Sequence, residues 1–91
     1  MSPFMGGSAP AMAEQVAGGY TLITAVQLKR LLDSELDQFR FELEHILRDL
    51  RAEPVDLADV PAIQVRNRKI ARLAGAIQQI QATMAMRRRH A

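Results

Sequence analysis

Apolar residues recur at intervals of three and four over residues 28–50, a stretch without glycine or proline. Residues with this spacing lie on one face of an α-helix, whereas a half-buried strand needs strict alternation. Thr24 and Gln27 match a capping box at the start, in which each side chain binds a backbone amide that the helix leaves free. The pattern therefore predicts one long amphipathic helix over about residues 25–52. Its apolar face consists of Leu28, Leu32, Leu36, Phe39, Leu43, Ile46 and Leu50.

A second helical pattern follows a short segment bracketed by two prolines. Pro54 disfavours the α conformation at the residue before it, and Pro61 is tolerated in the first turn of the next helix. Asp56 or Asp59 is expected to cap that helix. A heptad repeat predicts the second helix over about residues 61–87. The repeat is formed by Ile63, Ile70, Ile77 and Met84, with Leu73 and Ile80 as its second line.

Two long helices joined by a short linker predict an all-α fold. The linker of roughly eight residues favours an antiparallel helical hairpin about 40 Å long. Aromatic residues make up only 4% of the 91 residues and tryptophan is absent, which also favours helix over sheet. Because a two-helix chain buries little of its own apolar surface, we expect completion by oligomerisation, as a coiled-coil bundle, or by a partner.

The first twenty residues differ in composition from the rest of the chain. They contain four glycines and two prolines and are otherwise rich in alanine, serine and methionine. This composition predicts an extended arm over residues 1–22, followed by the helical hairpin over residues 23–91.

Charge is divided unevenly along the chain. Residues 1–60 carry five basic and ten acidic side chains, and residues 61–91 carry seven basic and none acidic. Pairing between the two helices explains the division most simply, and a basic surface for nucleic acid is the alternative. Under the first interpretation, the bases Arg66, Arg68, Lys69 and Arg72 face the acids Glu42, Glu44, Asp49 and Glu53.

The hairpin is also expected to gather basic residues at one end of the molecule. Antiparallel geometry returns Arg87, Arg88 and Arg89 to the end that carries Lys29 and Arg30. We call these five residues the basic pole. They are candidates to complement a helix C-terminus, or to bind phosphate or an acidic partner.

Four further residues are candidates for a partner interface. Phe41 projects from the side of the first helix opposite its apolar face, and exposed phenylalanines mark contact surfaces. Partial cover by the arm is the alternative for Phe41. Ala71, Gly75 and Ala82 form a line of small residues that lets another helix approach closely. Alanine also fills helix surfaces as the best helix former, but Gly75 costs about 1 kcal/mol relative to alanine.

No residue pattern predicts catalysis, a cofactor or a metal. The chain has no cysteine, so thiolate chemistry and disulfides are excluded. Glu42 and His45 have the Glu-x-x-His spacing of di-iron bundles, but the second helix has no carboxylate to complete such a site. We expect His45 to pair with Asp49 one turn later instead. Neither a catalytic triad nor a phosphate-binding loop is present in the sequence.

The sequence thus favours a non-enzymatic structural protein that self-associates and docks into a larger assembly, such as a multisubunit complex, a secretion apparatus or a virion. The alternative is a small nucleic-acid-associated or regulatory protein that uses the basic second helix and the C-terminal arginines. No signal peptide and no stretch of about 18 apolar residues for a membrane span is found, so we expect a location in the cytoplasm or within an assembly.

Overall fold

The computed structural model describes Phe4 and residues 7–89. The segments whose apolar residues have helical spacing are mostly helical. The described residues contain four helices: α1 (Ala9–Ala17), α2 (Ala25–Lys29), α3 (Asp33–Ala52) and α4 (Val60–Arg89). No strand occurs among them, which confirms the all-α class. Residues 90 and 91, the end of the predicted hairpin segment, lie outside the described residues.

The two long helices begin and end where capping residues and proline require. The backbone leaves the helical conformation at Glu53, directly before Pro54, which ends α3. Asp59 caps α4, since its Oδ1 accepts a hydrogen bond of 3.2 Å from the Ala62 N–H. Helix α4 therefore covers the residues predicted for the second helix.

The core lies where α1, α3 and α4 pack against one another. Most buried residues of α3 and α4 belong to the predicted stripes, whereas the buried Leu47 and Ala76 were not predicted. The stripe residues Ile46, Leu50, Ile70 and Met84 are partly buried and pack against this core. Four stripe residues that are almost completely inaccessible to solvent are Leu36, Leu43, Leu73 and Ile80.

The prediction of one continuous helix over residues 25–52 is wrong, because the chain breaks between α2 and α3. Leu32 is extended (φ −70°, ψ 161°) and its N–H donates to Glu35 Oε1 at 2.8 Å. In a continuous helix that N–H would bind the carbonyl of Leu28. This carbonyl instead accepts from the Leu31 N–H and from the Arg87 guanidinium, each at 3.1 Å. As a result Leu32, predicted to lie on the apolar face, is exposed.

The predicted extended arm contains a helix, α1. Ser8 caps it, since Ser8 Oγ accepts from the Ala11 N–H at 3.2 Å, and Pro10 lies in its first turn. At the other end the Tyr20 N–H donates to the Gln15 carbonyl at 2.9 Å, while Gly19 has a φ of +80°. This pair of features is a Schellman ending, which glycine favours. The arm prediction also covers residues 1–3, 5 and 6, which lie outside the described residues.

Small residues allow α1 to bury a narrow apolar face, which the composition alone did not suggest. The buried residues of α1 are Ala9, Met12, Ala13, Val16 and Ala17, spaced by one helical turn. Helix α1 contacts both α3 and α4, so a third element covers the seam between the two long helices. An uncovered seam therefore no longer argues for oligomerisation, although the oligomeric state itself remains a prediction.

Candidate interaction surfaces

Phe41 is the large apolar side chain that α3 leaves in solvent. It lies on the side of the helix opposite Leu36, Phe39 and Leu43, and 59% of it is exposed. Its ring stacks on the imidazole of His45, with 6.5 Å between ring centroids and 11° between planes. Within the described residues Phe41 stays more than half exposed, so this ring is accessible to a partner.

Paired polar side chains flank Phe41 along the same helix. His45 Nε2 lies 3.3 Å from Asp49 Oδ2, which confirms the predicted pairing. Arg40 binds both Asp37 and Glu44. The hydrogen bond that Arg40 donates to Asp37 is the largest cause that raises the pKa of Arg40 above its already high ordinary value, so this arginine stays charged. These pairs hold polar side chains around the ring, as expected at the rim of an interface.

The line of small residues on α4 borders a groove. Ala71 and Gly75 line a cavity of about 160 Å³ together with Leu22 and Ile23 from the segment before α2. Ala82 lines an adjacent cavity of about 280 Å³. Both cavities share Gln79, so the small residues lie along one side of two neighbouring cavities between α4 and residues 21–28, which we call the groove. A Cβ placed on Gly75 would meet no atom within 4 Å.

The structure therefore separates the four predicted interface residues into two surfaces. Ala71, Gly75 and Ala82 lie together along the groove, whereas Phe41 lines neither of its two cavities. The sequence predicted both features but did not predict the wall formed by residues 21–28. That wall lies beside the break between α2 and α3, which was not predicted although Glu35 binds the Leu32 N–H there.

The predicted charge pairing between α3 and the first turns of α4 is not found. Within the described residues, no ion pair of 4.0 Å or less joins those bases to the predicted acids. Arg72 instead donates to the Ala17 carbonyl, from Nε at 3.2 Å and from Nη2 at 2.9 Å. It thereby binds the C-terminal end of α1, where the helix dipole favours a cation. Arg66 Nε is buried without a hydrogen-bond partner.

At the basic pole, one of the five residues has internal partners. Arg87 Nη1 lies 2.8 Å from Asp33 Oδ1, and its Nη2 donates to the Leu28 carbonyl at 3.1 Å. These contacts bring the end of α4 to the end of α2, where the other basic residues lie. The remaining members, Lys29, Arg30, Arg88 and Arg89, are exposed.

The described part of the chain contains no group of three or more His, Cys, Asp or Glu side chains placed to hold a metal ion. None of its helices is both long enough and apolar enough to cross a bilayer.

Comparison with known proteins yields no relative. No protein-family model matches the sequence, no curated protein resembles it, and no solved structure matches its fold at a significant level. A function can therefore be inferred only from the residues and their geometry.

Proposed function

We propose that the chain is a non-enzymatic structural protein that self-associates and docks into a larger assembly, such as a multisubunit complex, a secretion apparatus or a virion. The observation that carries this proposal is the exposure of Phe41. The other described phenylalanines, Phe4 and Phe39, are buried and pack edge to face at 6.1 Å. Phenylalanine is enriched where protein surfaces dock, and the exposed ring of Phe41 stacks on His45 and is flanked by charged side chains, as in an interface with a polar rim.

The groove on α4 supports the same function from another side of the molecule. Small side chains let a second helix approach closely, and Leu22, exposed on the groove wall, offers it apolar contact. In this proposal α3 and α4 act as an antiparallel hairpin with two docking surfaces. A protein with two different surfaces can bind one neighbour on each side, which builds rings or extended arrays.

Sedimentation equilibrium of the purified chain tests this proposal. The unmodified chain is expected to form oligomers, and Phe41→Ser to shift the population towards the monomer. Leu57→Ser is the matched control, because Leu57 is 82% exposed but lies in the linker between α3 and α4. A chain that stays monomeric over its whole soluble range, or an equal loss in both variants, would contradict self-association through Phe41.

The second candidate is a nucleic-acid-associated or regulatory protein that binds through α4 and its C-terminal arginines. It is favoured by the seven basic and no acidic side chains over residues 61–91. Two of the seven, Arg72 and Arg87, already bind backbone carbonyls within the chain, which weakens this candidate. Binding to duplex DNA at increasing salt separates the two functions, since release of counterions makes nucleic-acid affinity fall steeply with salt.

A further inference from the structure

Exposed apolar side chains lie among the cations of the basic pole. Val26 of α2 is 60% exposed, Leu32 at the start of α3 is 67% exposed, and Met86 of α4 is 51% exposed. Large apolar side chains that stand singly on a surface need no explanation. Three of them at the one end of the molecule that also carries a cluster of cations form a mixed apolar and basic surface.

Contacts of Arg87 fix these residues at the same end. Its guanidinium binds the Leu28 carbonyl, two residues beyond Val26, and the carboxylate of Asp33, directly after Leu32. Met86 precedes Arg87 in the chain. Val26, Leu32 and Met86 therefore lie within two residues of a backbone or side chain that takes part in the contacts of Arg87.

The charge of this end is positive, and its carboxylates are engaged. Asp33 forms the ion pair with Arg87, and Glu35 accepts the N–H of Leu32. Lys29, Arg30, Arg88 and Arg89 are exposed. None of these four forms an ion pair within 4.0 Å in the part of the chain that the structure describes. A complementary partner must therefore be anionic.

We propose that the basic pole docks on an anionic lipid surface, with its cations on the headgroups and Val26, Leu32 and Met86 inserted between them. Lysine and arginine attract anionic phospholipids, and apolar side chains beside them enter the interfacial layer of a bilayer. The pole is one end of a molecule 50 Å long, so the rest of the chain would point away from the membrane. Docking on a surface is distinct from crossing it, for which no described helix is suited.

Two features favour lipid over other polyanions. Nucleic acid gains little from exposed aliphatic side chains, since single strands bind through aromatic stacking, and none of the three apolar residues is aromatic. A helix of a protein partner would bury its apolar face in a groove. Val26 and Leu32 line no such groove, since the cavity beside α2 is lined by its other residues Ala25 and Leu28. A fluid bilayer adapts to side chains that project separately from a convex end.

Co-sedimentation with vesicles tests the proposal on the full chain. We expect binding to vesicles of phosphatidylcholine mixed with phosphatidylserine, and little binding to vesicles of phosphatidylcholine alone. Lys29→Gln with Arg30→Gln should weaken vesicle binding about thirtyfold. The two removed cations each contribute about the same share of the attraction to the anionic lipids, so their losses multiply. Arg51→Gln with Arg68→Gln is the matched control, because both arginines are exposed and neither belongs to the pole.

Apolar variants separate lipid from other polyanions. Val26→Ser with Leu32→Ser should weaken vesicle binding about tenfold and leave any affinity for duplex DNA unchanged. The serine at position 32 is favoured at the start of α3, so this variant is expected to fold, which circular dichroism checks. Leu57→Ser, exposed in the linker, is the apolar control and should bind vesicles as the unmodified chain does.

Three outcomes would overturn the proposal. The first is equal binding to both kinds of vesicle, or to neither, at low salt. The second is an equal loss in the arginine control, which would indicate a diffuse response to net charge. The third is vesicle binding that does not change in the Val26 and Leu32 variant, together with an affinity for duplex DNA at least as high as the affinity for vesicles. That result would make the basic pole a nucleic-acid surface.

Discussion

Arg87 near the end of α4 binds Asp33 at the start of α3, with 2.8 Å between Nη1 and Oδ1. The same guanidinium donates to the Leu28 carbonyl at 3.1 Å, close to the end of α2. One side chain therefore connects three helices. It also occupies the carbonyl that a continuous helix over residues 25–52 would have used.

Arg87→Gln is expected to destabilise the protein by about 1 to 2 kcal/mol, whereas Arg88→Gln should have no measurable effect. Most of the loss comes from the hydrogen bond to Leu28, since the Asp33 carboxylate is largely exposed and its ion pair is weakened by solvent. Urea denaturation of both variants measures the difference. Equal stability of the two variants would show that Arg87 does not hold α4 to the α2 end.

Met12→Ala tests whether α1 belongs to the core. Met12 is buried by the contact of α1 with α3 and α4, so its truncation should cost about 2 to 5 kcal/mol. Glu14→Ala is the control on the exposed side of the same helix and should change stability little. Thermal unfolding followed by circular dichroism gives both values. An unchanged midpoint for Met12→Ala would show that α1 does not pack on the core and would support the predicted extended arm instead.

Two glycines should respond in opposite directions to alanine. At Gly19 the φ of +80° and the Arg72 Cζ only 3.2 Å from a new Cβ predict a loss of about 1 to 2 kcal/mol. At Gly75 the helix is regular and a new Cβ meets open space, so alanine should stabilise the monomer by about 1 kcal/mol. Denaturation curves of both variants at low protein concentration provide the measurement. Destabilisation by Gly75→Ala would mean that the groove is closed in solution.

Local patterns predicted the parts of the fold that local chemistry determines. The heptads of α4, the capping box of Thr24 and Gln27, the Asp59 cap and the end of α3 before Pro54 all depend on residues a few positions apart. Helix α1 carried equally local signals in Ser8 and Gly19. Its glycine and proline content predicts an extended arm, but Pro10, Gly18 and Gly19 lie at the ends of the helix and not in its interior.

Contacts between distant residues determined the rest. At the break before α3, the Leu28 carbonyl accepts a hydrogen bond from Arg87, 59 residues further along the chain, while the Leu32 N–H donates to the nearby Glu35. The contact between Arg72 and the Ala17 carbonyl, 55 residues apart, requires that α1 exists and packs on α4. No spacing within one helix signals either contact. The outward position of Phe41 could be predicted because it follows from the register of α3 alone.

In the proposed function the docking surface is separate from the core, and Phe41 belongs to the docking surface. The most direct measurement is the thermal midpoint of the unmodified chain and of Phe41→Ser over a wide range of protein concentrations. Association stabilises a folded chain by mass action, so the midpoint of the unmodified chain should rise with concentration. Phe41→Ser should have the same midpoint at the lowest concentration and show no such rise. A midpoint for Phe41→Ser that is lower by the same amount at every concentration would place Phe41 in the core and contradict the account.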